Sequence, residues 1–110
     1  MGVLFIGAVV LYANPTSIED SLVAFYTFND DTNSTVVIDT QGYSNGTFTD
    51  ATGDPNTDAH ATTGKINGAL DFDGTDDYVD TGNTFESTFQ DSFSISLWIK
   101  PDDGWASGSP

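Results

Sequence analysis

The apolar residues of this chain fall into short runs, each closed by turn-forming residues. Residues 22–28 (LVAFYTF) are rich in β-formers and apolar on both parities, the pattern of a strand covered on both faces. A turn cluster at 29–34 leads to a short strand at 35–38 (TVVI). Residues 39–46 (DTQGYSNG) predict another turn, with Gly42 and Gly46 in left-handed conformations, followed by a short strand at 47–49. Residues 50–64 read as a polar loop. Residues 69–80 read as a hairpin: Leu70 and Phe72 share one face, Asp71 and Asp73 the other, and Asp73-Gly74 supplies the turn. Phe85 and Phe89, four apart, predict one helical turn. The cleanest alternation comes last. Phe93, Ile95, Leu97 and Ile99 point one way, Ser94, Ser96, Trp98 and Lys100 the other, until Pro101 removes an amide donor from the ladder. Trp98 is expected in the core, under a second layer.

Short strands between turns, with no long helical period, predict an all-β fold, an antiparallel β-sandwich. The predicted strands make too few pairs to close two sheets, so partner strands are expected after Pro110. The apolar run 3–13 is too short to cross a bilayer as a helix. Three readings stand for it: the h-region of a signal peptide, a first strand, or a start inside a longer gene. Its length favours the signal peptide, although no base precedes it and Leu11 is large for a cleavage site ending at Ala13. The expected organisation is a leader over 1–13, a polar connector over 14–21, and the N-terminal portion of a β-sandwich over 22–110.

Charge narrows the partners. Seventeen acids face two bases, Lys65 and Lys100, for a net charge of -15. Such a surface repels nucleic-acid phosphates and anionic headgroups, so neither nucleic acid nor membrane insertion of the mature domain is expected. It suits divalent cations or uncharged ligands. A 13% aromatic content sets the chain apart from a disordered acidic tail, and the lack of cysteine excludes disulfides and thiolate metal sites.

No catalytic set emerges. His60, the one histidine, sits in the polar loop near Asp58, with no nucleophile evident. Glu19 and Glu86 lack any motif that would pair a raised-pKa acid with an ionised partner. Asp71, Asp73, Asp76 and Asp77 supply oxygens of the kind calcium takes. They miss the EF-hand pattern, since the glycine is fourth and Gly82 is twelfth. A β-sandwich loop binding calcium through Asp73, Asp76 and Asp77 therefore stands beside a plainer reading, in which these acids hydrogen-bond the turn backbone. Asp39 and Asn45 carry the same pair of readings in the earlier turn. Tyr43 and Trp105, both in loops, are the candidate platforms for stacking on a sugar ring.

Taken in order, several segments resemble the laminin G-like jelly-roll family of the concanavalin A-like lectin/glucanase group, to which pentraxins are related. Residues 22–30 (LVAFYTFND) look like its first strand. Residues 39–47 are similar to its Asp-Ser-Gly-Asn-Gly type loop, with Gln41 and Tyr43 in place of small residues. Residues 65–79 (KINGALDFDGTDDYV) are the nearest match, and 93–101 (FSISLWIKP) match the next family strand. The resemblance covers 22–101. It implies a jelly roll of two antiparallel sheets, often with calcium, acting without catalysis in an extracellular or cell-surface protein that binds a glycan or another extracellular protein. In pentraxin-like relatives the main calcium ligands follow the strand matched by 93–101, so their counterparts would fall after Pro110.

Overall fold

The computed structural model describes residues 4–13 and 21–102. Strands dominate the described residues: eight of them, with two helices of four residues each, give an all-β class. Five strands form one sheet: β1 (Leu4–Ala13), β2 (Leu22–Tyr26), β5 (Ala61–Thr63), β6 (Gly68–Phe72) and β8 (Phe93–Pro101). Three form a second: β3 (Val36–Val37), β4 (Gly46–Thr49) and β7 (Tyr78–Asp80). All the ladders are antiparallel.

β1 runs through the middle of the larger sheet. One of its edges carries β8; the other carries β2 against Val9–Tyr12 and β6 against Leu4–Ile6. Directly opposed residues share a face. Ile6 stands opposite both Leu70 and Ile99, and Val9 opposite both Tyr26 and Leu97. Leu70, Tyr26, Leu97 and Ile99 therefore lie on one face of the sheet, the register of β8 slipping along β1 between Ile6 and Val9. The expected leader over 1–13 falls largely on this strand. As β1 it is the sole ladder partner of β8 among the described residues.

The core lies between the sheets. Ala24, Tyr26, Phe28, Leu70 and Phe72 come from the larger sheet and its extension, Val37 and Phe48 from the smaller, and Phe85 from the start of α2 (Glu86–Phe89). Phe48 reaches across to Phe72 with ring centroids 5.2 Å apart. Each such side chain contributes about 1.5–3 kcal/mol by leaving water. Residues 22–28 are not covered on both faces as their composition predicts. Ala24, Tyr26 and Phe28 are buried while Val23 and Phe25 are half-buried, because a second layer covers one face only.

The predicted hairpin at 69–80 is a corner instead. β6 pairs with β1 and β5, β7 pairs with β4, and the turn between carries the chain from one sheet to the other. The turn chemistry is as expected: Gly74 has φ 75°, and Asp73 Oδ1 accepts the amides of Thr75 at 2.7 Å and Asp76 at 3.3 Å. Local signals encode a tight turn but not which sheet receives the return strand. Gly42 is left-handed as predicted, whereas Gly46 is not. Gly46 is needed for space, since a Cβ there would stand 2.5 Å from Val79 Cγ1. The polar loop 50–64 contains more than loop: α1 (Thr57–His60) and β5 lie in it. The helical turn at Phe85–Phe89 forms as α2.

β8 spans the predicted alternation, but neither of its faces is covered. Phe93, Ile95, Leu97 and Ile99 extend the core face and remain 42–49% exposed, because the three-stranded sheet does not reach over them. Trp98 is corrected from core to surface: it is 50% exposed on the outer face. No helix among the described residues is long and apolar enough to cross a membrane.

Candidate functional site

Three places gather polar chemistry. The first is the turn after β3. Asp39 is 1% exposed, and its carboxylate accepts four backbone amides: Phe25 at 2.9 Å and Gln41 at 3.0 Å on Oδ1, Tyr43 at 3.3 Å and Ser44 at 3.0 Å on Oδ2. Asn45 Oδ1 accepts the amide of Asp39 at 3.0 Å. Tyr26 donates its hydroxyl to the Ser44 carbonyl, and burial, with the Asp39 charge second, pushes that phenol up to about 12. Asp39 and Asn45 are thus engaged in building the turn and tying it to β2. The bland reading of these two residues describes the geometry, and Asp39 joins no group of potential metal ligands among the described residues.

The second place is the corner between β6 and β7. Asp50 Oδ1 accepts the amides of Thr52 at 2.9 Å and Gly53 at 2.6 Å, which leaves Oδ2 facing His60 Nε2 at 3.5 Å. His60 ends α1, and its ring lies on Phe48 with centroids 4.2 Å apart. Its two nitrogens meet backbone carbonyls, Asp71 O at 3.2 Å from Nδ1 and Asp54 O at 2.8 Å from Nε2. Asp77 Oδ2 lies 3.7 Å from Nδ1 and accepts the amide of Asp73 at 2.8 Å. Burial pushes the carboxyls of Asp71 and Asp77 above their usual range. The Thr75 amide, foremost, holds Asp73 below it. Two groups here could hold a metal ion, Asp50 with His60 and Asp77, and Asp73 with Asp76 and Asp77; within each, one potential ligand atom per residue lies within 4.8 Å of the others. The predicted trio Asp73, Asp76 and Asp77 is brought together. Asp50 and His60, some residues earlier in the chain, join Asp77 only through the fold, and Asp58 is not among His60's partners.

The third place is an open cleft of about 600 Å³ on the outer face of the larger sheet, across β5, β6 and β8. Thr62 stands opposite Ala69, and Phe5 stands opposite both Asp71 and Lys100, so Thr62, Ala69, Trp98 and Lys100 share this face. Thr63, Gly64, Lys65 and Ile99 complete the lining. Lys65 Nζ lies 6.0 Å from the Trp98 ring centroid, within cation–π range. Both bases of the chain therefore line one cleft together with an exposed aromatic.

The predicted platforms lie elsewhere. Tyr43 is 88% exposed but does not line the cleft, and Trp105 lies outside the described residues. Trp98 was expected in the core, and Lys65 and Lys100 figured in the sequence reading only as bases. The signal for Trp98 and Lys100 was the mixed face of 94–100, where one tryptophan sits among serines and a lysine, a poor composition for a core.

No family model, no curated protein and no solved structure matches this chain.

Proposed function

We propose that the chain is a non-catalytic carbohydrate-binding or adhesion module of a secreted or cell-surface protein, built on a laminin G-like jelly roll. The Trp98 cleft carries this reading. An exposed indole offers a flat apolar face to the C–H face of a sugar ring, and Thr62, Thr63 and the lysines supply hydrogen-bond donors around it. The resemblance of 65–79 and 93–101 to the family supports the same reading, as does a surface whose charge disfavours nucleic acid. Calcium belongs to it as a structural partner, because the acids of the corner offer oxygen donors alone.

Titration calorimetry against a panel of oligosaccharides, with wild type and Trp98→Ala side by side, tests the proposal. Wild type binds at least one glycan. The variant loses that binding while its stability changes by about 1 kcal/mol or less, since the ring is half in solvent. A panel that draws no binding from wild type, or equal affinity in the variant, refutes the glycan reading. The apolar row Phe93, Ile95, Leu97 and Ile99 favours a second reading, a spacer that docks on other protein domains. It predicts no sugar affinity, and neighbouring adhesin-like repeats in the parent gene.

A further inference from the structure

Asp77 is shared by the two groups of potential metal ligands at the corner. Its side chain is 1% exposed, and its Oδ1 is shut from solvent with no hydrogen-bond partner; Asp76 Oδ1 is in the same condition. Buried carboxylate oxygens are ordinarily met by donors or cations, because an unpaired charge in a poorly solvated place is costly. Two such oxygens in adjacent residues call for a partner.

The two sides of Asp77 differ. On the side of Asp50, the imidazole of His60 already fills the gap between the carboxylates at 3.5 Å and 3.7 Å. Both of its nitrogens already face backbone carbonyls, at 3.2 Å and 2.8 Å. On the side of the turn the other potential ligands are the carboxylates of Asp73 and Asp76. Asp73 Oδ1 accepts two amides there, yet no donor reaches Oδ1 of Asp76 or Asp77.

We propose that a hard divalent cation, calcium, binds at the β6–β7 corner on the carboxylates of Asp73, Asp76 and Asp77. Two oxygens each about 2.4 Å from one calcium ion lie at most about 4.8 Å apart, a condition this trio meets. Backbone carbonyls and water complete a shell of six to eight oxygens, which calcium accepts in flexible geometry. Asp73 directly follows β6, and Asp77 directly precedes β7. The ion therefore ties the crossing from the larger sheet to the smaller one. This site deepens the calcium part of the function proposed above and is independent of the Trp98 cleft.

The full chain, stripped with chelator, is titrated with calcium chloride by calorimetry and melted at constant ionic strength. Saturable binding of about one ion per chain is expected, with a rise in Tm. Asp76→Asn keeps the shape of the side chain and weakens calcium binding by about tenfold or more, since even outer partners of a metal site carry about 10–100-fold. Asp58→Asn, at an exposed position in α1, keeps wild-type affinity, as do His60→Gln and Trp98→Ala. The proposal is overturned by the absence of saturable binding in wild type, or by wild-type affinity in Asp76→Asn. It is equally overturned if His60→Gln rather than Asp76→Asn removes binding, or if matched sodium chloride gives the same rise in Tm. Loss of glycan binding in Trp98→Ala with calcium affinity intact separates the two proposals.

Discussion

Phe48 and Leu97 sit on strands with the same alternation and meet different fates. Phe48, on the three-stranded sheet, is 1% exposed between Phe72 and His60. Leu97, on the core face of β8, is 42% exposed. The difference lies in the opposing layer rather than in the strands. Where β3, β4 and β7 face β2 and β6, alternate residues are sealed. Where β8 extends past them, Phe93 meets only Phe89 of α2 and the rest of the row stays half exposed. An alternating strand specifies which residues can be buried, and the layer opposite decides which of them are.

Removal of residues 4–13 is the most severe test of that contrast. β1 is the only described strand that pairs with β8, so β8 amides are expected to exchange as unstructured chain while those of β4 and β7 keep their protection. Hydrogen exchange read by mass spectrometry checks it, and equal loss in both regions would show that the contrast is not one of separable parts. Next in size, Phe48→Ala is expected to cost about 3–5 kcal/mol and Leu97→Ala about 1 kcal/mol in urea denaturation. Equal costs would mean that β8 is covered in solution. Asp39→Ala leaves four amides without their acceptor and is expected to cost about 2–3 kcal/mol in the same assay, with Asp39→Asn costing less.

The smallest expected effects are those of pH. Burial holds Asp30, Asp71 and Asp77 above the usual 3.8. The folded state keeps these protons at a pH where the unfolded chain has lost them. Their contribution to stability is therefore fully present below about 3.8 and is lost as pH rises through the raised values, whereas Asp73, held low, acts in the opposite sense. Tm is expected to fall from pH 4 towards neutrality, and less so in Asp77→Asn. Tyr26 repeats the pattern at the alkaline end. Its usual value of 10.0 rises to about 12 in the fold, so stability drops across that interval, and Tyr26→Phe flattens the drop. A Tm that rises over either interval contradicts these assignments.

Much of the fold was legible because it is written locally. The alternation at 93–100, the positive φ available at Gly74 and the four-residue spacing of Phe85 and Phe89 are properties of neighbours in sequence, and each appears where expected. The short segments β5 and α1 were missed because three or four residues such as ATT or TDAH carry too little periodicity to rise above a loop. In the acidic corner, Asp73, Asp76 and Asp77 were legible as a group because one turn holds them. The pairing of Asp77 with His60 and Asp50 was not, since it depends on which sheet receives each strand.

The sequence by itself determined an all-β chain with a strongly acidic surface, the turns that divide its strands, and the residues able to enter a core, because strand period and turn chemistry depend on adjacent residues. Only the tertiary structure decided that 69–80 bends between sheets instead of closing a hairpin, and that Trp98 faces outward beside both lysines. It also decided that Oδ1 of Asp71, Asp76 and Asp77 at the corner are buried without partners. The physical reason is common to all three: register and layer coverage are set by contacts between segments far apart in the chain, and a local pattern carries no information about which distant surface will meet it.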